Sequence, residues 1–284
     1  MPAETGTSFA FSLESEMWKI NHERCGLLFG PAAAILQIAH PRIAQGVADH
    51  SDFEFDTVGR LRRTLASTNR IAFGTIKDAE HTKERLKSVH QQVQGRTSDT
   101  MEGPPSYSAF EPDLLLWVLG TLIMAALQGH ELARGPLPAD RKDGFYHDMR
   151  RFGTYFGLKK DFGPSDFRAF QDYYQEMLSG DLLGSHPLCE KLTHSIVYPE
   201  DSLETKVLGQ VLAFLPIETL PADLLPRLGL ASTRSTRIKF RFLKKLLPSI
   251  YTAIPKILRL YPESQERLKR EHEPQSFRTS HPTK

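Results

Sequence analysis

The pattern of apolar and polar positions predicts helices along almost the whole chain. In most segments apolar residues recur at spacings of three and four, which is the period of an amphipathic helix. The strongest stretch, residues 114–127, is apolar on all sides and follows Glu111-Pro112-Asp113, a helix-start sequence. Its 14 residues fall short of the ~20 that cross a bilayer, so we expect the buried central helix of a bundle. Strand patterns are nearly absent, and the predicted fold class is all-α.

Residues 51–95 are predicted to contain two helices packed against each other, and the first of them presents a polar cluster. This helix is predicted over residues 57–75. It places Arg60, Arg63 and Thr64 at positions i, i+3 and i+4, so that the three side chains leave one surface together. Its opposite face is predicted to be buried through the apolar residues Val58, Leu61, Leu65, Ile71, Ala72 and Ile76.

The second helix of the pair, predicted over residues 76–94, carries a histidine on its apolar side. The neighbours of His90 on that side are Leu86, Val89 and Val93. A histidine among aliphatic residues is more often a hydrogen-bonded core residue than a metal ligand, and spacing alone leaves a haem site and an ordinary core both open. His81 lies half a turn away and is predicted to face solvent. Gly95 stands where a left-handed helix cap is expected.

Four motifs, in this order and spacing, carry a resemblance to a known family. They read AHPRIAQGVADHSDFEFDTVGRLRRT, FGTIKDAE, HQQVQG and YSAFEPDLLLWVLGTLI. Together they resemble the catalytic domain shared by bacterial rubber oxygenases (latex-clearing proteins) and the ER-bound MpaB-type oxygenase of mycophenolic acid biosynthesis. The likeness covers most of residues 20–262. It implies a multi-helix bundle with a globin-like core of the rubber-oxygenase type and a b-type haem.

The resemblance also implies roles for individual residues. His90 corresponds to the histidine that ligates the haem iron, Arg60 and Thr64 to residues that contact the cofactor, and Arg60, Arg63 and Thr64 to the catalytic cluster. The implied activity is a haem-dependent oxygenase that uses dioxygen to cleave or oxygenate a C=C bond of a hydrophobic, isoprenoid-like or other lipid-like substrate. The alternative is a non-catalytic helical protein that binds a lipophilic ligand or an anionic membrane surface.

Three positions depart from the rubber-oxygenase pattern. Arg63 stands where that branch carries a lysine, and an arginine stays protonated and cannot act as a reversible iron ligand. Gln45 stands near the position of an acidic residue. Leu119 replaces a histidine found in many relatives. The resemblance is therefore closer around His90 than around the opposite side of the expected haem.

Composition and length allow one large domain or two tightly joined ones. The 284 residues, 40% of them hydrophobic, are enough to bury a sizeable core. We expect a flexible arm over residues 1–16, the catalytic domain over residues 17–262 and a charged, disordered tail over residues 263–284. The two cysteines, Cys25 and Cys189, are predicted to be reduced and buried, with no zinc cluster and a cytoplasmic location.

The charge is unevenly distributed along the chain. Residues 224–262 contain nine basic residues and no acidic one, although the whole chain carries a net charge of only +2. The basic segment, residues 227–260, is amphipathic. Residues 234–260 could therefore contact an anionic membrane surface peripherally, but a solvated cationic face packed on the bundle is the simpler interpretation. No recognition motif accompanies the charge, so nucleic-acid binding is not expected, and oligomeric state is not predicted.

Overall fold

The computed structural model describes residues 8–50, 57–97, 106–199 and 202–272, without the side chains of residues 57, 58, 60, 61, 203–205, 207 and 208. The predicted all-α class is confirmed. The α-helices of the described residues are α1 (Glu16–Asn21), α2 (Gly30–Ala39), α3 (Pro41–His50), α4 (Thr57–Phe73), α5 (Ile76–Gln92), α6 (Pro112–Arg134), α7 (Ala139–Gly153), α8 (Phe167–Ser179), α9 (Pro187–Val197), α10 (Leu203–Leu212), α11 (Phe214–Thr219), α12 (Arg234–Ala253), α13 (Lys256–Arg259) and α14 (Pro262–His272). One antiparallel hairpin joins β1 (Gln94–Arg96) to β2 (Ser106–Ser108).

Helix α6 is the centre of the fold, as its all-round apolar surface predicts. The 3-10 turn Arg24–Phe29 and helices α2, α7 and α12 pack around it. Trp117 is fully buried, and its indole N–H donates to the carbonyl oxygen of Leu36 at 2.8 Å. A Cβ at Gly129 would lie 2.6 Å from the carbonyl oxygen of Cys25, so only glycine permits this close approach of the 3-10 turn.

Among the described residues, α6 is long and apolar enough to cross a bilayer, with 67% of its apolar window buried in the protein. The pair formed by Arg24–Ala39 and Pro41–His50, bent by 99°, passes the same test when taken as one span. A buried core helix meets the same criteria of length and composition, and the helices packed around α6 account for its apolar surface.

Helices α4 and α5 lie where the sequence predicts them but end earlier. Thr75 caps α5 reciprocally with Asp78: the Asp78 N–H donates to Thr75 Oγ1 at 3.1 Å, and the Thr75 N–H donates to Asp78 Oδ2 at 3.0 Å. Ile71 and Ala72 are buried as predicted, whereas Ile76 is 39% exposed and does not belong to that face. The side chains of Val58 and Leu61 lie outside the description.

The predicted left-handed cap at Gly95 is wrong. Helix α5 ends at Gln92, and Gly95 lies in strand β1, where it pairs with Tyr107 of β2. A Cβ at position 95 would lie 2.6 Å from the phenolic oxygen of Tyr107. The glycine is therefore needed for close approach of a side chain and not for a positive φ angle.

The described residues near both predicted domain boundaries pack onto the helical body. Phe9 forms an antiparallel bridge with Thr75, and Phe11 is 1% exposed, so the described part of the predicted arm packs into the core. Helix α14 occupies the start of the predicted tail. Its Arg267 is 2% exposed, with the guanidinium 4.0 Å from the ring centroid of Phe9 and 4.6 Å from that of Trp18. Residues 1–7 and 273–284, the rest of the predicted arm and tail, lie outside the described residues.

The cysteines confirm the prediction of buried thiols. Cys25 and Cys189 are both free and buried. Burial raises the pKa of each to about 11, so both are protonated at neutral pH.

Candidate functional site

A cavity of about 510 Å³ lies between α4 and α5 on one side and α3 and α6 on the other. We call it the first cavity. The hairpin borders it through Tyr107 and Ser108, and aliphatic side chains of α6 form much of its wall. Its volume falls within the ~300–1,000 Å³ typical of small-molecule and cofactor sites.

His90 lines the first cavity instead of packing into the core. Its ring makes an edge contact with Phe110, with centroids 5.9 Å apart. Nδ1 is buried without a hydrogen-bond partner among the described residues, a condition that normally calls for a ligand or water. Burial lowers the pKa of His90 below its ordinary value, so the ring is neutral at neutral pH and keeps a lone pair for a metal or a proton.

The structure brings Arg63 and Thr64 to the same cavity as His90. Both side chains are exposed on α4 and line the cavity wall. The backbone of Arg60 lies one turn earlier on α4, but its side chain is outside the description, and its predicted role stays a prediction.

Arg85 also borders the cavity, and sequence reasoning missed it. Arg85 of α5 donates through Nη2 to Ser67 Oγ at 2.7 Å, and Ser67 Oγ donates to the carbonyl oxygen of Arg63 at 3.0 Å. This chain of hydrogen bonds ties α5 to α4 one turn below the Arg63 and Thr64 pair. Arg85 stands in the exposed polar run of α5, and no local pattern distinguishes it from the solvated charges beside it.

Tyr107 forms a polar cluster at the hairpin end of the cavity. This cluster was not predicted from the sequence. Its hydroxyl donates to Asp49 Oδ2 at 2.5 Å and lies 3.1 Å from His50 Nε2. Burial and the neighbouring Asp49 carboxylate raise the pKa of Tyr107, so the phenol keeps its proton. A Cβ at Gly46 would lie 3.2 Å from the Tyr107 ring, so the two small residues Gly46 and Gly95 make room for it.

The departures from the rubber-oxygenase pattern can now be placed. Gln45 does not line the cavity but donates through Nε2 to Asp49 Oδ1 at 2.9 Å, which puts a carboxylate one helical turn from that position. Leu119 contributes an aliphatic side chain to the cavity wall. His81 is exposed, as predicted.

A second cavity of about 400 Å³ lies on the other side of α4. It is lined mainly by apolar side chains from α2, α4, α6, α11 and the 3-10 turn Arg24–Phe29. Gln37, Thr64, Thr68 and Leu122 border both cavities, so they form a thin partition. Gln37 Nε2 donates to Thr121 Oγ1 at 2.9 Å and is held in that partition.

The donor set restricts the kind of metal centre that the first cavity could hold. Among the residues that the structure describes, no three His, Cys, Asp or Glu side chains converge on a point that could bind a metal ion. A metal at His90 would therefore need most of its ligands from a non-protein group such as a porphyrin, for which one axial imidazole suffices. An unpartnered, neutral imidazole on the wall of a largely apolar cavity fits that requirement.

Comparison with known proteins gives a family match over most of the chain. Residues 18–248 match the family described as ER-bound oxygenase mpaB/B'/Rubber oxygenase, catalytic domain. This range contains the first cavity with His90, Arg63 and Thr64. No solved structure matches the chain.

Two curated mycobacterial proteins are similar to part of the chain. They are the uncharacterized protein Mb2261 of Mycobacterium bovis and the uncharacterized protein Rv2237 of Mycobacterium tuberculosis, each 30% identical over 158 residues. The matched region is 54% of this chain and 60% of each relative. The chain therefore spans less than two thirds of the length of these relatives.

Proposed function

Because the chain belongs to the mpaB/B'/rubber oxygenase catalytic-domain family, we propose that it is a haem b-dependent oxygenase that acts on a hydrophobic substrate with a C=C bond. The observation that carries the proposal is His90, whose neutral and unpartnered ring lines a cavity of about 510 Å³ together with Arg63 and Thr64. The family supports oxygenase chemistry. Haem, dioxygen and the unsaturated substrate are our proposal.

The first cavity offers complementary groups for a haem. His90 would ligate the iron, and the guanidinium group of Arg85 would pair with an anionic propionate. When bound, haem b would supply a redox-active iron for chemistry with dioxygen.

The remaining wall residues have roles that follow from their chemistry. Arg63 keeps a permanent positive charge at the cavity and can donate hydrogen bonds to a reacting oxygen atom, and Thr64 adds a hydroxyl beside it. Tyr107 holds a proton on its hydroxyl, which Asp49 orients. The aliphatic side chains of α6 would exclude water and orient an apolar chain.

The direct test is the absorption spectrum of protein produced with ample haem, together with a pyridine haemochrome assay. We expect a Soret band that His90→Ala abolishes or shifts. His81→Ala, a histidine on the same helix but exposed to solvent, should leave the band unchanged. Colourless wild-type protein, or the same spectrum in both variants, would remove the haem assignment.

Turnover is tested by dioxygen consumption with unsaturated lipids. We expect Arg63→Gln to keep haem but to lower the rate on the order of a hundredfold, as loss of one donor to a reacting oxygen typically does. Arg62→Gln changes the neighbouring exposed arginine, which does not line either cavity, and should keep the wild-type rate. Equal rates in the two variants would contradict a catalytic role for Arg63.

The second cavity favours another candidate, a protein that binds a lipophilic ligand without redox turnover. Its largely apolar wall and its volume of about 400 Å³ suit an aliphatic molecule. This candidate requires ligand binding in protein that contains no haem and consumes no dioxygen. The haemochrome assay separates it from the oxygenase.

A further inference from the structure

Helix α12 lies on the surface and is anchored along one face only. Leu247 and Tyr251 are buried against the 3-10 turn Arg24–Phe29 and the end of α6. At its start, Thr233 and Thr236 cap the helix reciprocally, and Thr236 Oγ1 donates to Glu218 of α11 at 2.5 Å. The helix is thus fixed in orientation, and its outer face is a defined part of the surface.

The outer face of α12 exposes a continuous apolar stripe. Ile238 is 40% exposed, Phe242 62%, Leu246 49% and Ile250 52%. Successive members are four residues apart, so the stripe runs about 18 Å along the helix and turns through about 120°. Ile257 (66%) and Leu258 (61%) of α13, which follows α12 in the chain, are exposed as well. Contiguous exposed apolar surface of this kind marks an interaction site.

The same helix carries six exposed cations: Arg234, Arg237, Lys239, Arg241, Lys244 and Lys245. At about 100° per residue, all except Lys239 lie on one flank of the stripe. None forms a salt bridge with a carboxylate within residues 8–50, 57–97, 106–199 and 202–272. Because residues 224–262 contain no acidic residue, the segment itself is strongly positive, and the Glu218 carboxylate at the start of α12 accepts from Thr236.

We propose that α12 and α13 dock on an anionic lipid bilayer, with the apolar stripe in the interface and the cations against lipid headgroups. Large apolar side chains beside a row of cations are the pattern of helices that lie in the plane of a membrane surface. An acidic protein would match the charge, but the row of large aliphatic and aromatic side chains favours a bilayer. A second copy joined across a two-fold axis would bring like charges together and is disfavoured.

This surface is independent of the cavities and of the proposed oxygenase activity. It makes no use of His90, Arg63 or haem. Its test therefore succeeds or fails whether or not the protein binds haem.

The test is co-flotation of the full chain with vesicles of phosphatidylcholine alone or of phosphatidylcholine with phosphatidylglycerol. We expect binding only to the anionic vesicles, with binding that weakens as salt is added. Phe242→Ser/Ile250→Ser and Lys244→Glu/Lys245→Glu should each reduce binding on the order of tenfold or more. All four side chains are exposed, so melting temperatures should stay near that of the wild type.

Matched controls separate this surface from general exposure and charge. Leu182→Ser changes an apolar residue that is 38% exposed elsewhere, and Lys159→Glu/Lys160→Glu reverses another exposed lysine pair. Both should bind as the wild type does. Equal effects of control and test variants, or equal binding to neutral vesicles, would overturn the proposal.

Tryptophan fluorescence then measures how deeply the apolar stripe enters the bilayer. Phe242→Trp should show a blue-shifted emission and quenching by brominated lipid on the anionic vesicles, whereas Leu182→Trp should not. Sedimentation equilibrium tests whether a second copy of the chain occupies this surface instead. A wild-type dimer that Phe242→Ser/Ile250→Ser dissociates, with no vesicle binding, would overturn the proposal in favour of a second copy.

Discussion

The two cavities share helix α4 but differ in the chemistry of their walls. The first contains an unpartnered imidazole and arginines at its border, whereas the second is mainly apolar. The described wall of the second cavity contains one carboxylate, that of Glu23, and it is paired with Arg134. Burial alone would raise the pKa of Glu23, but the hydrogen bond and charge of Arg134 outweigh it and hold the pKa below its ordinary value. The first cavity therefore offers an imidazole without a hydrogen-bond partner among the described residues, whereas the wall of the second is mainly apolar.

The strongest test of this difference between the cavities is to fill each of them with the same side chain. Ala109 lines only the first cavity and Ala34 only the second. We expect Ala109→Phe to weaken haem binding by about tenfold to a hundredfold, because added ring volume in a defined site costs about 1–3 kcal/mol. Haem titration followed by the Soret band measures the effect.

Ala34→Phe is the matched control for that prediction. It should leave haem binding unchanged and lower only the uptake of an apolar dye. If it weakens haem binding as much as Ala109→Phe does, the two cavities are one functional space and the comparison fails.

The helical fold could be predicted from the sequence because it follows from local periodicity. The all-round apolarity of α6 predicted its burial without any knowledge of its partners, and Arg63 and Thr64 of the predicted polar cluster line one cavity. The contacts that could not be predicted join residues far apart in the sequence. The packing of Arg267 on Phe9 joins the two ends of the chain, and no local pattern contains it.

The site was predictable only in part, for the same reason. Spacing left His90 open between a core residue and a ligand, and the family resemblance favoured the ligand. Tyr107 reaches Asp49 across 58 positions, and Gly95 is small because of that tyrosine. Sequence reasoning attributed Gly95 to a helix cap because a glycine after a helix most often has that role.

The next prediction concerns His40, a histidine that is buried outside both cavities, and its smaller effect on stability at acidic pH. His40 is buried, lines neither cavity, and burial together with the charge of Arg42 lowers its pKa to about 4. Between pH 7 and pH 5.5 the unfolded chain takes up a proton on this ring and the folded chain does not. The free energy of unfolding should therefore fall by about 1 kcal/mol over this interval through His40 alone.

Urea unfolding at the two pH values checks this prediction. His40→Leu should lose about 1 kcal/mol less than the wild type on acidification, while keeping its haem content. His81→Leu, at an exposed position of α5, should lose as much as the wild type. The same loss in all three proteins would show that other groups determine the acid sensitivity.

The smallest expected effect concerns the partition between the cavities. Gln37→Leu removes the hydrogen bond to Thr121 Oγ1, which still donates to the carbonyl oxygen of Val118 at 2.8 Å. Because Thr121 keeps one partner, we expect a loss of only about 0.5 kcal/mol in the free energy of unfolding. Thr121→Val and the double variant complete a cycle, in which the coupling energy should be of the same size. A coupling near zero would mean that the partition is held by its apolar contacts, with Leu122 as its main element.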